Sequence, residues 1–200
     1  NTIKLYSLLL FFCFLTFTSA NAQTGNMLLF GVNLSEGNFS VAMRYFLPVL
    51  AFALGIALAE IVHKKDLNLL HWRQAAVLVE ALILLGVAFF PQNMNLLANS
   101  LTSFACGIQV ESFRKIRGNG IATTMCIGKM RSGTQNLCNY LQDRDIENLK
   151  KALLYYGIII CFICGAIIGN FFIKIFAEKA ILCCSALLFF AFILILVKRA

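Results

Sequence analysis

The sequence predicts an all-α, polytopic transmembrane helix bundle with about six spans. Hydrophobic residues make up 60% of the 200 positions and charged residues only 13%, and the mean hydropathy is +0.81. Soluble domains average roughly 45–50% apolar and 25% charged residues. Two prolines and 19 phenylalanines favour long helices in lipid, and no alternating pattern of an outer-membrane barrel is present. We therefore expect a single transmembrane domain over residues 1–200.

The first apolar run, Leu5 to Ala20, has two interpretations that stay open. As a span, it would be the first of six. As a signal peptide, it would combine Lys4, an apolar core and the small-residue cleavage pattern Ala20-Asn21-Ala22.

Five further runs have about the 17–25 residues that a helix needs to cross the hydrocarbon core. The third of them is the most polar, because it contains Asn99, Thr102, Ser103 and Gln109. The five runs are Ser40 to Val62, Trp72 to Phe90, Asn95 to Phe113, Ala152 to Ile173 and Ala177 to Val197.

The segment from Ile121 to Leu141 is moderately apolar but is not expected to cross the membrane. Lys129 and Arg131 lie at its middle, and each would cost about 2.5–3.5 kcal/mol at the centre of a membrane helix. A re-entrant or interfacial segment is the better interpretation. The polar stretch that follows offers Asp143 or Asp145 as a cap for the next helix.

The basic residues predict the orientation of the chain. With six spans and a cytoplasmic start, fourteen lysines and arginines lie inside, eight of them between Arg114 and Lys151, and only Arg44, Lys174 and Lys179 lie outside. This is a strong positive-inside pattern, so both termini should be cytoplasmic. The net charge of +8 therefore reports topology and contact with the lipid bilayer, and nucleic acid is not an expected partner.

A faint internal duplication divides the chain into halves of roughly residues 1–92 and 93–200. Three spans per half would place the halves in opposite orientations, as in the inverted repeats of many secondary transporters. The glycine-containing segments around Thr24 and Gly128 would be irregular in each half, although close helix packing is an alternative reason for the glycines. At a constant offset of 110, Phe52, Gly55 and Ala59 correspond to Phe162, Gly165 and Gly169.

Several short motifs resemble one known family. In the second half these are Phe104-Ala105-Cys106-Gly107-Ile108-Gln109 and Ile121-Ala122-Thr123-Thr124. The combination resembles the YoaK-like bacterial membrane proteins, a multi-pass family of the cytoplasmic membrane with unknown function. The resemblance runs from about Phe17 to the C-terminus. In the first half it rests on Ala20 to Asn26, Gly31, Leu34, Gly37, Pro48 and Phe52-Ala53-Leu54-Gly55.

Glu80 is the sharpest candidate for a functional residue. It lies seven residues beyond Arg73 within an apolar run, which at about 1.5 Å per residue is on the order of 10 Å deep. An ionised carboxylate at that depth needs a partner or a proton. Glu80 is therefore either a proton or cation site, or a neutral side chain bonded to a neighbouring helix.

The other candidates for binding a ligand are polar residues in the two glycine-containing segments and in the third run. Irregular backbone at membrane depth must be buried in protein or line water. We expect a polar cavity between the halves, although an external turn and interhelical hydrogen bonds are the alternatives. These candidates are Thr24, Gly25, Asn26, Gln109, Thr123, Thr124 and Gly128.

No motif supports an enzyme, a metal site or a cofactor. His63 and His71 lie eight residues apart without a metal-ligand pattern, and no phosphate-binding or nucleophile motif is present. The leading hypothesis is a small secondary transporter or permease for a small polar solute, which a homodimer could complete. The alternative is a non-catalytic membrane protein that binds lipid or a protein partner through the basic segment from Arg114 to Lys151.

Overall fold

The computed structural model describes residues 23–64, 72–112, 115–116, 119–120, 126–176 and 180–197. Almost all of these residues are helical, which confirms the all-α class for the described part, and Leu5 to Ala20 lies outside it. A 3-10 turn, Gln92–Met94, precedes α4, and two-residue strands, Lys115–Ile116 and Asn119–Gly120, pair antiparallel. The helices are α1 (Gln23–Ser35), α2 (Phe39–Lys64), α3 (Trp72–Val87), α4 (Asn95–Ser112), α5 (Cys126–Asp143), α6 (Ile146–Phe176) and α7 (Ala180–Val197).

The five apolar runs coincide with α2, α3, α4, α6 and α7. By length and composition, two of these helices could cross a bilayer: α2 with 26 residues and α6 with 31. Only 17% and 19% of their most apolar stretches are buried inside the protein, so their apolar side chains mostly face outwards. The apolar parts of α3 and α7 are shorter. The number of six spans stays a prediction.

Helices α2 and α4 form the most extensive contact in the described chain. Gly55 of α2 lies against Phe104 of α4, and further along, Ala59 of α2 packs with Ile108 of α4. The contact between the two helices thus includes Gly55 and Ala59, which lie one helical turn apart on α2.

Two glycines bring the backbones of α2 and α4 together. A Cβ atom on Gly55 would overlap the carbonyl oxygen of Phe104, and a Cβ atom on Gly107 would overlap the carbonyl oxygen of Phe52. Each glycine thus contacts the residue three positions before the other glycine, so the crossing is reciprocal. Both helices carry the same pattern there, Phe52-Ala53-Leu54-Gly55-Ile56 and Phe104-Ala105-Cys106-Gly107-Ile108.

Helix α3 lies between α4 and α7. On the α4 side, buried Ala76 packs with Ile108 and Ala59, and Phe104 covers the cluster. On the α7 side, the buried hydroxyl of Ser185 donates a 2.8 Å hydrogen bond to the carbonyl oxygen of Ala81. Helix α3 is therefore held from two sides.

Each half of the chain places a shorter helix on a long one: α1 packs on α2, and α5 packs on α6. The rings of Phe30 and Phe46 meet with their centroids 5.1 Å apart. In the second half, buried Gly133 of α5 lies against Tyr155 and Tyr156 of α6. Element order and packing are thus alike in the two halves.

The boundary between α5 and α6 confirms the predicted cap. Arg144 has a φ of 55°, the left-handed conformation common just after a helix end. The Asp145 carboxylate then accepts a 3.0 Å hydrogen bond from the backbone N–H of Glu147, which satisfies one of the free donors of the α6 N-terminus. Glu147 also binds Lys150 at 2.8 Å, and this hydrogen bond raises the pKa of Lys150 above its usual value.

The prediction that the two glycine-containing segments are irregular was wrong. Residues 24–26 lie within α1, and residues 126–129 lie within α5. The segment from Ile121 to Leu141 is therefore helical from Cys126 onwards, and the helix continues to Asp143. The two halves are therefore similar in the order and packing of their helices, and not in irregular segments that interrupt helices.

Candidate functional site

Glu80 lies inside the bundle, on the helix that is packed from two sides. Its side chain is 2% exposed. Ala76, one helical turn earlier and about 6 Å away along the axis, belongs to the contact with α4. Ala81, the next residue, accepts the hydrogen bond from Ser185 of α7. Glu80 is thus located where α3 meets both of its main neighbours.

Several neighbours of Glu80 on α3 are buried and apolar. Val77, Ala81 and Leu84 of the same helix are all buried. Within the residues that the structure describes, the Glu80 carboxyl group has no hydrogen bond and no ion pair. Burying an ionised carboxylate without a partner is costly, so a proton or a cation at this group would be stabilised.

A second buried polar group belongs to the end of α4. The side chains of Gln109 and Ser112 are 3% and 1% exposed, and their spacing of three residues places them on one face of the helix. The side-chain oxygens Oε1 of Gln109 and Oγ of Ser112 find no hydrogen-bond partner among the described residues. Two buried acceptors without donors are unusual and mark a place where a proton donor, a water molecule or a cation would be stabilised.

A hydrogen-bonded chain connects α1 to α4. The Nε2 group of Gln23 donates to Oγ of Ser103 at 3.1 Å, and Ser103 is completely buried. The Nδ2 group of Asn26 in turn donates to Oε1 of Gln23 at 3.4 Å. The polar start of α1 is therefore turned towards the protein interior.

The candidate residues of the first glycine-containing segment have different environments. Thr24 is exposed, whereas Gly25 and Asn26 are half-buried, and all three lie in a regular helix. The expectation of broken backbone was wrong, because Gln23 donates to Ser103 and accepts from Asn26 within a regular helix. The polar side chains here form hydrogen bonds, including one to another helix, without interrupting the backbone hydrogen bonds of α1.

The candidates of the second segment are not brought next to the first. Gly128 is exposed on α5, and nothing lies within 4 Å of where its Cβ atom would be. In the described chain α5 packs on α6 and α1 packs on α2, so the two glycine-containing segments are not packed against each other. Thr123 and Thr124 lie outside the described residues.

A groove of about 510 Å³ lies between α2 and the region from the 3-10 turn into α4. Its lining is mostly leucine, including Leu50, Leu54 and Leu97, with Asn93 and Ser100 as polar exceptions. None of the candidate residues lines it. This apolar groove is therefore different from the expected polar cavity.

Five buried polar residues were missed as site candidates: Gln74, Ser103, Ser112, Lys129 and Ser185. Ser103 carried a signal, because it is one of the polar residues in the third apolar run. Gln74 and Ser112 lie near the ends of their helices, where a polar residue is ordinarily in contact with water. Sequence position alone could not show that both are buried.

No curated protein and no solved structure matches this chain. The model of one family, DUF1275, described as a protein of unknown function, matches residues 9–194. This is nearly the whole chain, and it confirms the expectation of an uncharacterised family. The protein therefore belongs to the DUF1275 family of proteins of unknown function.

Proposed function

We propose that this protein is a multi-pass protein of the cytoplasmic membrane that carries a small polar solute, as a secondary transporter or permease. The membrane location is supported by α2 and α6, which are long, apolar and mostly unburied. The proposal includes about six spans, cytoplasmic termini, and kinship with the YoaK-like bacterial proteins. It assigns no catalytic activity and no cofactor, and it allows a homodimer.

The buried carboxyl group of Glu80 is the observation that carries the transport proposal. Acidic side chains within membrane helices are rare, and they commonly form proton or cation sites. Glu80 is enclosed where α3 meets α4 and α7. Loss or gain of a proton there changes the charge of the interior. We infer that α3 changes its position between α4 and α7 in response.

The two halves support a transport mechanism independently of Glu80. The order of a shorter helix, a long helix and a further helix occurs in α1 to α3 and again in α5 to α7. The last helices of the halves, α3 and α7, pack against each other. Inverted repeats with a site near their interface are typical of secondary transporters, and Glu80 lies on one of these two helices.

Uptake into proteoliposomes tests the proposal. Purified protein would be reconstituted and offered a panel of radiolabelled small polar metabolites, with and without an imposed pH gradient. We expect uptake of at least one solute, and we expect Glu80→Gln to abolish its acceleration by the pH gradient while the protein stays folded. Glutamine keeps the size of the side chain but cannot exchange a proton.

Glu60→Gln is the matched control. Glu60 is half-buried near the end of α2 and forms an ion pair with exposed Lys64 at 3.2 Å, away from the contact of α3 with α7, so this variant should transport as the wild type does. If transport occurs and Glu80→Gln behaves like Glu60→Gln, Glu80 has no role in coupling. If no solute of the panel is taken up, the transporter assignment is contradicted.

The second candidate function is binding of lipid or a protein partner without transport. It is favoured by the charge of the segment from Arg114 to Lys151, which carries eight basic residues but only three acidic ones, Asp143, Asp145 and Glu147. Absence of uptake together with specific retention on anionic lipid would support this candidate.

A further inference from the structure

Helix α5 exposes large apolar side chains beside polar ones such as Arg131 and Gln135, and it buries a charged one. Its inward face carries Lys129, which is only 4% exposed, and Asn136, which is half-buried. Its outward face carries Ile127, Met130 and Leu141, which are 78%, 55% and 60% exposed. A surface helix in water would show the opposite arrangement, with charge outside and apolar residues inside.

Four exposed residues and half-buried Leu137 form a stripe along α5, with exposed Thr134 in its middle. Ile127, Met130, Leu137, Cys138 and Leu141 follow the three- and four-residue spacing that places side chains on one face of a helix. The stripe is therefore mainly apolar, and its exposed apolar side chains are not covered by the described helices. We name these five residues the α5 stripe.

Contacts with α6 fix the rotation of α5 about its axis. Gly133 is buried, and its Cβ atom would lie 3.3 Å from Cβ of Tyr155 and 3.4 Å from Cε2 of Tyr156. Thr134 adds a 2.8 Å hydrogen bond to the hydroxyl of Tyr156. Because Gly133 faces the two tyrosines, the α5 stripe cannot turn inwards without losing these contacts.

Charge indicates which surface the stripe meets. Arg131 is exposed on α5 beside the stripe, and the segment from Arg114 to Lys151 has an excess of basic residues. Helices with an apolar face and flanking cations lie in the membrane interface, where anionic lipid headgroups attract the cations.

We propose that α5 lies in the headgroup region of an anionic leaflet, with the α5 stripe among the upper acyl chains and Arg131 at the lipid phosphates. The apolar face of such a helix is buried about 5–10 Å below the headgroups. This proposal rests on the membrane location given above but not on transport. It assigns a lipid-binding surface to a segment for which the sequence left a re-entrant and an interfacial position open.

Depth-dependent fluorescence quenching tests the proposal on the full-length chain. The chain has one tryptophan, Trp72, so Trp72→Phe provides a background for single probes. Met130→Trp and Leu141→Trp would be placed in bilayers of phosphatidylcholine and phosphatidylglycerol with bromines either high or low on the acyl chains. We expect strong quenching of both probes by the upper bromines and weaker quenching by the lower ones.

Two further positions serve as controls. Gln135→Trp lies on the exposed polar side of α5 and should be quenched by aqueous iodide instead of lipid bromines. Ile163→Trp lies on the exposed apolar face of α6 and should be quenched by the lower bromines. If Ile163→Trp is quenched by lipid but the two stripe probes are not, the α5 proposal is overturned alone. If none is quenched by lipid, the membrane location is overturned too.

The anionic part of the proposal has its own readout. Omitting phosphatidylglycerol, or introducing Arg131→Gln, should reduce quenching of Met130→Trp by the upper bromines and leave Ile163→Trp unchanged. Equal quenching with and without phosphatidylglycerol would overturn the role of anionic lipid. A stripe probe shielded from both lipid bromines and iodide would overturn the lipid proposal in favour of a protein partner.

Discussion

Replacement of Gly107 by alanine should separate α2 from α4. The added Cβ atom would overlap the carbonyl oxygen of Phe52 and lie 3.1 Å from the backbone nitrogen of Ile56. Both are backbone atoms of a regular helix, so neither can rotate away as a side chain could. Relief requires the helices to move apart, and overpacking of this kind costs about 1–3 kcal/mol.

Alanine also stabilises a helix relative to glycine, and this gain in stability offsets part of the loss caused by the overlap. It is about 1 kcal/mol more favourable than glycine within a helix. The same substitution at Gly86 measures this gain alone, because nothing lies within 4 Å of its Cβ position. Gly107→Ala should therefore be less stable than Gly86→Ala by about 1–3 kcal/mol, a difference that corresponds to roughly 2–12 °C in Tm for a chain of this size.

Thermal denaturation in mild detergent, followed by the monodisperse fraction on size exclusion, measures the difference. The double variant Gly55→Ala, Gly107→Ala should lose less than the sum of the two single losses, because one separation of α2 and α4 relieves both overlaps. Equal Tm values for Gly107→Ala and Gly86→Ala would refute the close crossing. Strictly additive losses would refute its reciprocal geometry.

Two other contacts allow predictions of similar precision. Asp145→Ala should destabilise the protein by about 0.5–2 kcal/mol in the same assay, because the α6 N-terminus loses its cap. Asp143→Ala, at the end of α5, should not destabilise it. Equal effects of the two variants would contradict the capping role. Ser185→Ala should cost about 0.5–1.5 kcal/mol by removing the buried bond to Ala81. Ser100→Ala removes a bond within its own helix and should be nearly neutral, so a Ser185→Ala variant that is no worse would contradict the link between α3 and α7.

Helix positions could be predicted because hydrophobic runs bounded by polar residues suffice to locate them. The run from Ser40 to Val62 became Phe39–Lys64, and the run from Asn95 to Phe113 became Asn95–Ser112. The cap at Asp145 was also predictable, since it depends on residues a few positions apart. Local patterns determine these features, and no knowledge of neighbouring helices is needed.

Features that depend on which helices are neighbours could not be predicted. The helical conformation of Thr24 to Asn26 is supported by Gln23, whose partner Ser103 lies 80 positions away. The shared pattern around Gly55 and Gly107 was visible in the sequence, but its meaning depends on the two helices crossing there. Burial of Glu80 was expected from its apolar run, whereas burial of Ser112 was not.

The helices of this chain with the higher hydropathy are the less buried ones. Helix α4, the most polar of the five apolar runs, has its residues 105–110 all buried, whereas the more apolar α2 and α6 expose most of their surface. In water the hydrophobic effect would favour the reverse. In lipid the apolar surface carries no such penalty, and polar side chains gain by facing one another inside. High hydropathy therefore marks the outer surface of this protein, and the polar residues that interrupt it, on α4 and at Glu80, mark the interior where a solute or a proton could be bound.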